Sequence, residues 1–138
     1  MKNGIHAFAA AAALSLAALG AANAKDIAVS LSGDQEVPAV TSAAKGMGKI
    51  SIADDKSVSG SVTTTGMTGM AAHIHEAAPG KNGPPIITLE KKGESEWMVP
   101  AGAKLTDAQY ASFKAGNLYV NVHSAEHKGG EIRTQIKP

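Results

Sequence analysis

The chain of 138 residues has no cysteine. That absence rules out disulfides, thiolate zinc fingers and thiolate copper sites, because each depends on its sulfur ligands. An excess of charge is missing too. The 13 Lys and Arg stand against 12 Asp and Glu, for a formal charge of +1. Such a balance gives no reason to expect nucleic acid or an acidic surface as partner. Beyond residue 24 no apolar run is long enough to span a bilayer. No Ser/His/Asp triad and no phosphate-cradling glycine loop stands out, so hydrolase and kinase chemistry have no support.

Residues 1–24 read MKNGIHAFAAAAALSLAALGAANA: an early lysine, an Ala/Leu run, then Ala22-Asn23-Ala24. A basic start, an apolar stretch and an A-x-A end make a secretory signal peptide. A retained membrane anchor is the rival reading, but the run is short and mostly alanine, which favours cleavage after Ala24. The expected location is periplasmic or secreted. The remaining Lys25–Pro138 suffices for one small domain. Lacking cysteine in an oxidising compartment, that domain must draw stability from its core, with a metal as a possible aid.

The mature chain reads as short strands. Ile27–Leu31 and Gly48–Ile52 alternate apolar with small or polar residues, the period-2 pattern of a half-buried strand. Asp54-Asp55 turns the chain into the β-branched stretch Ser57–Thr64, which is expected to complete a hairpin. Further strands are expected at 71–76, 86–90, 95–99, 117–123 and 130–136. This spacing predicts an all-β, antiparallel sandwich or barrel. One segment differs. Thr106, with Gln109 three residues on, forms a capping box, Tyr110 and Phe113 share a face, and Gly116 closes the end. A short inserted helix is expected over about 105–115.

The stretch AAHIHEAAPGKNGPP (71–85) sets two of the five histidines one residue apart. On a strand, His73 and His75 project from one face and Ile74 from the other. Their Cα atoms lie about 6.5 Å apart at the usual strand rise, close enough for both imidazoles to reach one ion. In Asn117–His123, the residues Leu118, Val120 and Val122 make the apolar face, and His123 shares the opposite one with Tyr119 and Asn121. All three histidines are thus expected outside the β core. An H-x-H pair alone is a moderate signal, and its Gly/Pro loop also suits an ordinary hairpin; His123 tips the reading toward metal. His127 lies in a polar turn and is expected to be exposed, while Trp97 and Tyr119 are expected to pack.

Four ordered blocks carry a resemblance: Leu31–Pro38 (LSGDQEVP), Ala72–His75 (AHIH), Gly116–His123 (GNLYVNVH) and Gly129–Arg133 (GGEIR). Together they resemble the CHRD domain, named from chordin and widespread in secreted bacterial proteins. The resemblance spans nearly the whole mature chain, 25–138. It implies an immunoglobulin-like or superoxide-dismutase-like sandwich and no single chemistry; chordin itself binds growth factors. A weaker likeness joins His73-Ile74-His75-Glu76 and its loop to the H-V-H-E copper segment of copper/zinc superoxide dismutases. Those enzymes take another copper histidine from a late strand of a Greek-key barrel, where His123 stands, and guide superoxide with a late arginine, a counterpart for Arg133. No histidine lies between His75 and His123, so the bridging ligand and the zinc site of those enzymes are missing, as is their disulfide.

The expected centre is therefore mononuclear, with three imidazoles and an open or foreign fourth position. Copper ranks first, since Cu(II) binds most tightly in the general order, and zinc second. Water, Met67, Met70 or His127 are candidates for the fourth position. A thioether suits Cu(I), but the methionines equally suit gaps in a core. Glu36, Glu76 and Glu131 are candidates to orient the imidazoles, or ordinary surface carboxylates, and Lys81 with Arg133 can draw in a small anion such as superoxide. Three functions stay open: a superoxide-dismutase-like enzyme, a copper carrier or store, and a secreted adhesion or scaffold module whose histidines are incidental.

Overall fold

The computed structural model describes residues 23–138; the expected signal peptide, apart from Asn23 and Ala24, lies outside the described residues. Among the described residues, nine antiparallel strands form one sheet in the order β5-β4-β8-β9-β1-β2-β3-β7-β6. β1 (Ala24–Ser32), β2 (Lys45–Ala53) and β3 (Val58–Thr65) make a meander. The chain then crosses to β4 (Gly69–Glu76) and β5 (Pro85–Thr88), runs on through β6 (Glu90–Lys92) and β7 (Glu96–Met98), and crosses back through α1 (Asp107–Lys114) to the hairpin of β8 (Leu118–Ser124) and β9 (Ile132–Ile136). These two crossings give the Greek-key character.

Closure depends on one short segment. The expected strand 86–90 is divided: Pro85–Thr88 pairs with β4, and Glu90–Lys92 pairs with β7. Between them the Leu89 amide donates to the Ala72 carbonyl at 2.9 Å, which brings the two edges of the sheet together. At the opposite side β9 meets β1 through a single pairing, Arg133 opposite Ser32. The sheet thus folds into a nearly closed barrel whose two halves face one another, an arrangement that protects its edges.

The alternation seen in the sequence fills the interior. Val29 and Leu31, Ile50 and Ile52, Ala72 and Ile74, and Leu118, Val120 and Val122 are all buried in one core. β1 begins three residues before its alternation does, because Ala24–Asp26 are exposed and leave no periodic trace. The helix is capped as expected: the Thr106 hydroxyl accepts from the Gln109 amide at 3.1 Å, and the Gln109 side-chain oxygen accepts from the Thr106 amide at 2.9 Å. Phe113 is the residue α1 buries in the core. A 3-10 turn at Gly33–Gln35 was not expected; it leads Glu36 back onto the sheet.

Candidate metal centre

β4 and β8 are neighbours, with His73 opposite Asn121, His75 opposite Tyr119 and Ala71 opposite His123. His123 therefore lies diagonally from His73, within reach for long side chains across an antiparallel pair, and the small Ala71 leaves room between them. His73, His75 and His123 each offer a ring nitrogen, and these nitrogens lie within 4.8 Å of one another. Small ring rotations bring such a set onto one ion with bonds of about 2.1 Å.

Backbone carbonyls determine which nitrogens are free. His75 Nδ1 lies 2.9 Å from the Gly83 carbonyl, and His123 Nδ1 lies 2.8 Å from that of Lys128. A carbonyl only accepts, so each Nδ1 carries the proton and each Nε2 of the neutral ring is bare. His75 Nε2 is buried and has no hydrogen-bond partner. His73 Nδ1 lies 3.1 Å from His123 Nε2 and completes the set in the metal-free protein by donating to it. Nε2 of His75 and of His123 are thus available as ligand atoms, and His73 offers Nδ1 once its proton moves to Nε2. Burial, with the neighbouring imidazoles, holds His73 below the usual histidine range. Burial does the same for His75, against the opposing pull of the Gly83 carbonyl. Both shifts favour the neutral ring, the form that ligates a metal.

The outer face is less open than the strand pattern alone implies. His75 is only 8 % exposed, and Tyr119 and Asn121 are buried; the loop 77–84 bonds back onto His75 and Tyr119 through Gly83. The Tyr119 ring stacks on His75 with centroids 4.7 Å apart and planes 1° from parallel. On its other side stands the Arg133 guanidinium, 3.5 Å from the ring centroid. Arg133 Nη1 donates to Asn82 Oδ1 at 3.0 Å and Nη2 to the Lys81 carbonyl at 2.7 Å, while the Gly83 amide donates to the Tyr119 hydroxyl at 3.1 Å. Gly83 has no room for a side chain, since a Cβ would strike the Glu76 carbonyl. The loop is clamped, and its Gly83 carbonyl is aimed at His75.

Several expected roles change with these positions. A solvent-facing anion guide needs an exposed guanidinium, and Arg133 is 2 % exposed with its nitrogens bonded to the loop; its place is that of a clamp. The Lys81 side chain is exposed. Glu131 contacts hydroxyls rather than imidazoles: its oxygens accept from Ser124 and Ser42, each at 2.7 Å. Burial pushes its carboxyl up, but those two bonds together hold it below the usual range. His127 is half-buried rather than exposed and groups with Glu126 and Glu131, away from the other three. Met67 packs against the core, whereas Met70 is 64 % exposed beside His73 and His123. The Glu76 carboxyl has one buried oxygen, Oε2, without a partner.

Glu36 comes close to Asn121 under the same cover. Both crowd Gly130, where a Cβ would strike Glu36 Oε2 and the φ of 122° disfavours any side chain. Burial pushes the Glu36 carboxyl up to about 7, against the opposing charge of Arg133 and a hydrogen bond from Asn121. Asn121, Tyr119 and the carbonyls of Gly83 and Lys128 were not singled out as site residues from the sequence. Tyr119 and Asn121 carried a signal, their shared face with His123; a backbone carbonyl carries none.

Three imidazoles on the outer face of a nearly closed Greek-key barrel define a β-barrel module with a candidate metal centre. The family model of the CHRD domain matches residues 27–136, and the chain belongs to that family. CHRD domains occur in secreted proteins, and no helix among the described residues is long and apolar enough to cross a membrane. No curated protein and no solved structure matches the chain.

Proposed function

We propose that this CHRD domain is a secreted, periplasmic or extracellular, metal-binding module that holds one copper ion on His73, His75 and His123. The observation that carries the reading is the fixed tautomer of two of the three imidazoles. Carbonyls hold the Nδ1 protons of His75 and His123, as the outer partners of metal-bound histidines do, and leave both Nε2 atoms unprotonated, that of His123 facing His73 and that of His75 buried without a partner. An incidental cluster has no need of that arrangement. Three nitrogens with an open position also suit zinc, which is the second choice; copper(II) leads on affinity order.

An ion at this place is accessible. His73 and His123 border an open hollow of about 320 Å³, so a small oxidant reaches the centre without the movement of a lid. Superoxide-dismutase-like turnover is the finer proposal, and copper storage or delivery is its alternative.

Isothermal titration of the metal-stripped protein tests the site. About one equivalent of Cu(II) is expected, with affinity lower by at least about tenfold in His75→Ala, since two imidazoles cannot reproduce the same coordination. Unchanged affinity in that variant would sink the proposal. Tag-free protein purified without stoichiometric metal, and with no uptake on titration, would return the domain to the scaffold reading.

A further inference from the structure

Strict alternation along β4 would turn Met70 inward with Ala72 and Ile74. It does not. The register shifts between Gly69 and Ala71, a bulge in the pairing with β8. Gly69 takes the buried position and Met70 is thrown outward, to the face that carries Ala71, His73 and His75. Re-aiming one side chain is a recurrent use of a bulge, especially near functional sites.

The interior explains why Gly69 is glycine. A Cβ there would lie 2.9 Å from the Trp97 ring and 3.1 Å from Val122, too close for either to yield freely. Trp97 therefore excludes an inward side chain at this point, but it does not require a methionine outside. At 64 % exposure Met70 gains little from burial. Its surroundings are specific: it lines the same hollow as His73, His123 and Lys128. The other soft or nitrogen donors near the site are placed elsewhere. Met67 packs against the core, and His127 groups with Glu126 and Glu131.

We propose that Met70 is the thioether arm of this centre, recruited to His73 and His123 when the ion is Cu(I). The proposal rests on the three-histidine reading and deepens it. Three imidazoles alone serve Cu(II) and Zn(II) alike, whereas a thioether adds preference for the softer Cu(I). Unbranched, with three rotatable bonds, the side chain can swing over the hollow without a change in backbone. The centre would then retain copper through reduction, as a carrier or a cycling site must.

The test compares the metal-stripped wild-type protein with Met70→Leu, Met47→Leu and His75→Ala. Met47 is 69 % exposed on β2 and serves as the control for an adventitious surface thioether. Anaerobic Cu(I) affinity is measured by competition with bicinchoninate, Zn(II) affinity by titration, and the Cu(I) ligands by X-ray absorption. Wild-type Cu(I) protein should show one sulfur neighbour. Met70→Leu should lose it and weaken Cu(I) binding by about tenfold or more, with Zn(II) affinity within about twofold of wild type. Met47→Leu should match wild type throughout. A Cu(I) spectrum without sulfur, or sulfur that persists in Met70→Leu, overturns the thioether arm even if the histidines bind metal. His75→Ala with wild-type affinity for every ion overturns the three-histidine centre, and the arm with it.

Discussion

Tyr119 makes contacts on three sides that all bear on His75. Its ring lies flat against the imidazole, the Arg133 guanidinium covers its other face, and its hydroxyl accepts from the Gly83 amide. The Gly83 carbonyl in turn receives the Nδ1 proton of His75. Tyr119→Phe separates these contacts, since it keeps the stack and removes only the hydroxyl. The half-buried Gly83 amide then loses its partner, at a cost of about 1 kcal/mol. Loosening of the carbonyl should raise the Cu(II) dissociation constant by about tenfold, the lower end of what outer partners of metal-bound histidines contribute. Titration beside denaturant unfolding checks both numbers. Lost stability with unchanged affinity would confine Tyr119 to packing.

The elements of the fold were largely legible because their evidence is local. Alternation marked β1 to β3 and the apolar face of β8, and the capping box of Thr106 and Gln109 marked α1. The same alternation put His73, His75 and His123 on one outer face, and the pairing of β4 with β8 brings them together. The cover over that face was not legible. It depends on bonds between residues far apart in sequence, such as Arg133 to Lys81 and Asn82, or Asn82 to the Val37 carbonyl. Burial of Arg133 follows from that cover, so a role for it in drawing in an anion could be entertained from the sequence without any sign that the loop takes up its guanidinium.

The turn that carries Glu36 under the cover has a consequence for pH. Its carboxyl titrates near 7 in the folded protein, above the ordinary value of 4.5, because burial disfavours the charged form. A raised pKa means that folding favours the protonated form. The group's contribution is therefore complete below about pH 4.5 and falls as pH rises through 7, by up to about 3 kcal/mol. The lowered histidines act in the opposite sense, since their contribution is present above pH 6.5 and is lost as pH falls. Glu36→Gln isolates the carboxyl by keeping its shape without its charge. Denaturant unfolding at pH 5 and pH 8.5 should show wild type losing more stability than the variant toward alkaline pH. Equal losses would mean that Glu36 is ionised without penalty where it lies.

At the scale of the whole molecule, the barrel supplies a rigid support and leaves the centre at its surface. A copper ion held by His73, His75 and His123 would supply the one-electron chemistry that converts two superoxide ions and two protons into O2 and hydrogen peroxide. Nothing in the charge distribution draws the anion in strongly. The formal charge is only +1, and Arg133 is inside. Lys81 and Lys128 are the exposed cations nearby, on the covering loop and in the turn after β8. The rate should accordingly fall short of an electrostatically steered enzyme and depend weakly on ionic strength. Superoxide decay is measured with copper-loaded protein in the presence of EDTA, which silences released copper, beside His123→Ala treated alike. Faster decay with the wild-type protein, little changed between low and moderate salt, is the expected result. Decay no faster than with His123→Ala would remove turnover and leave copper storage or delivery as the function of the same three imidazoles.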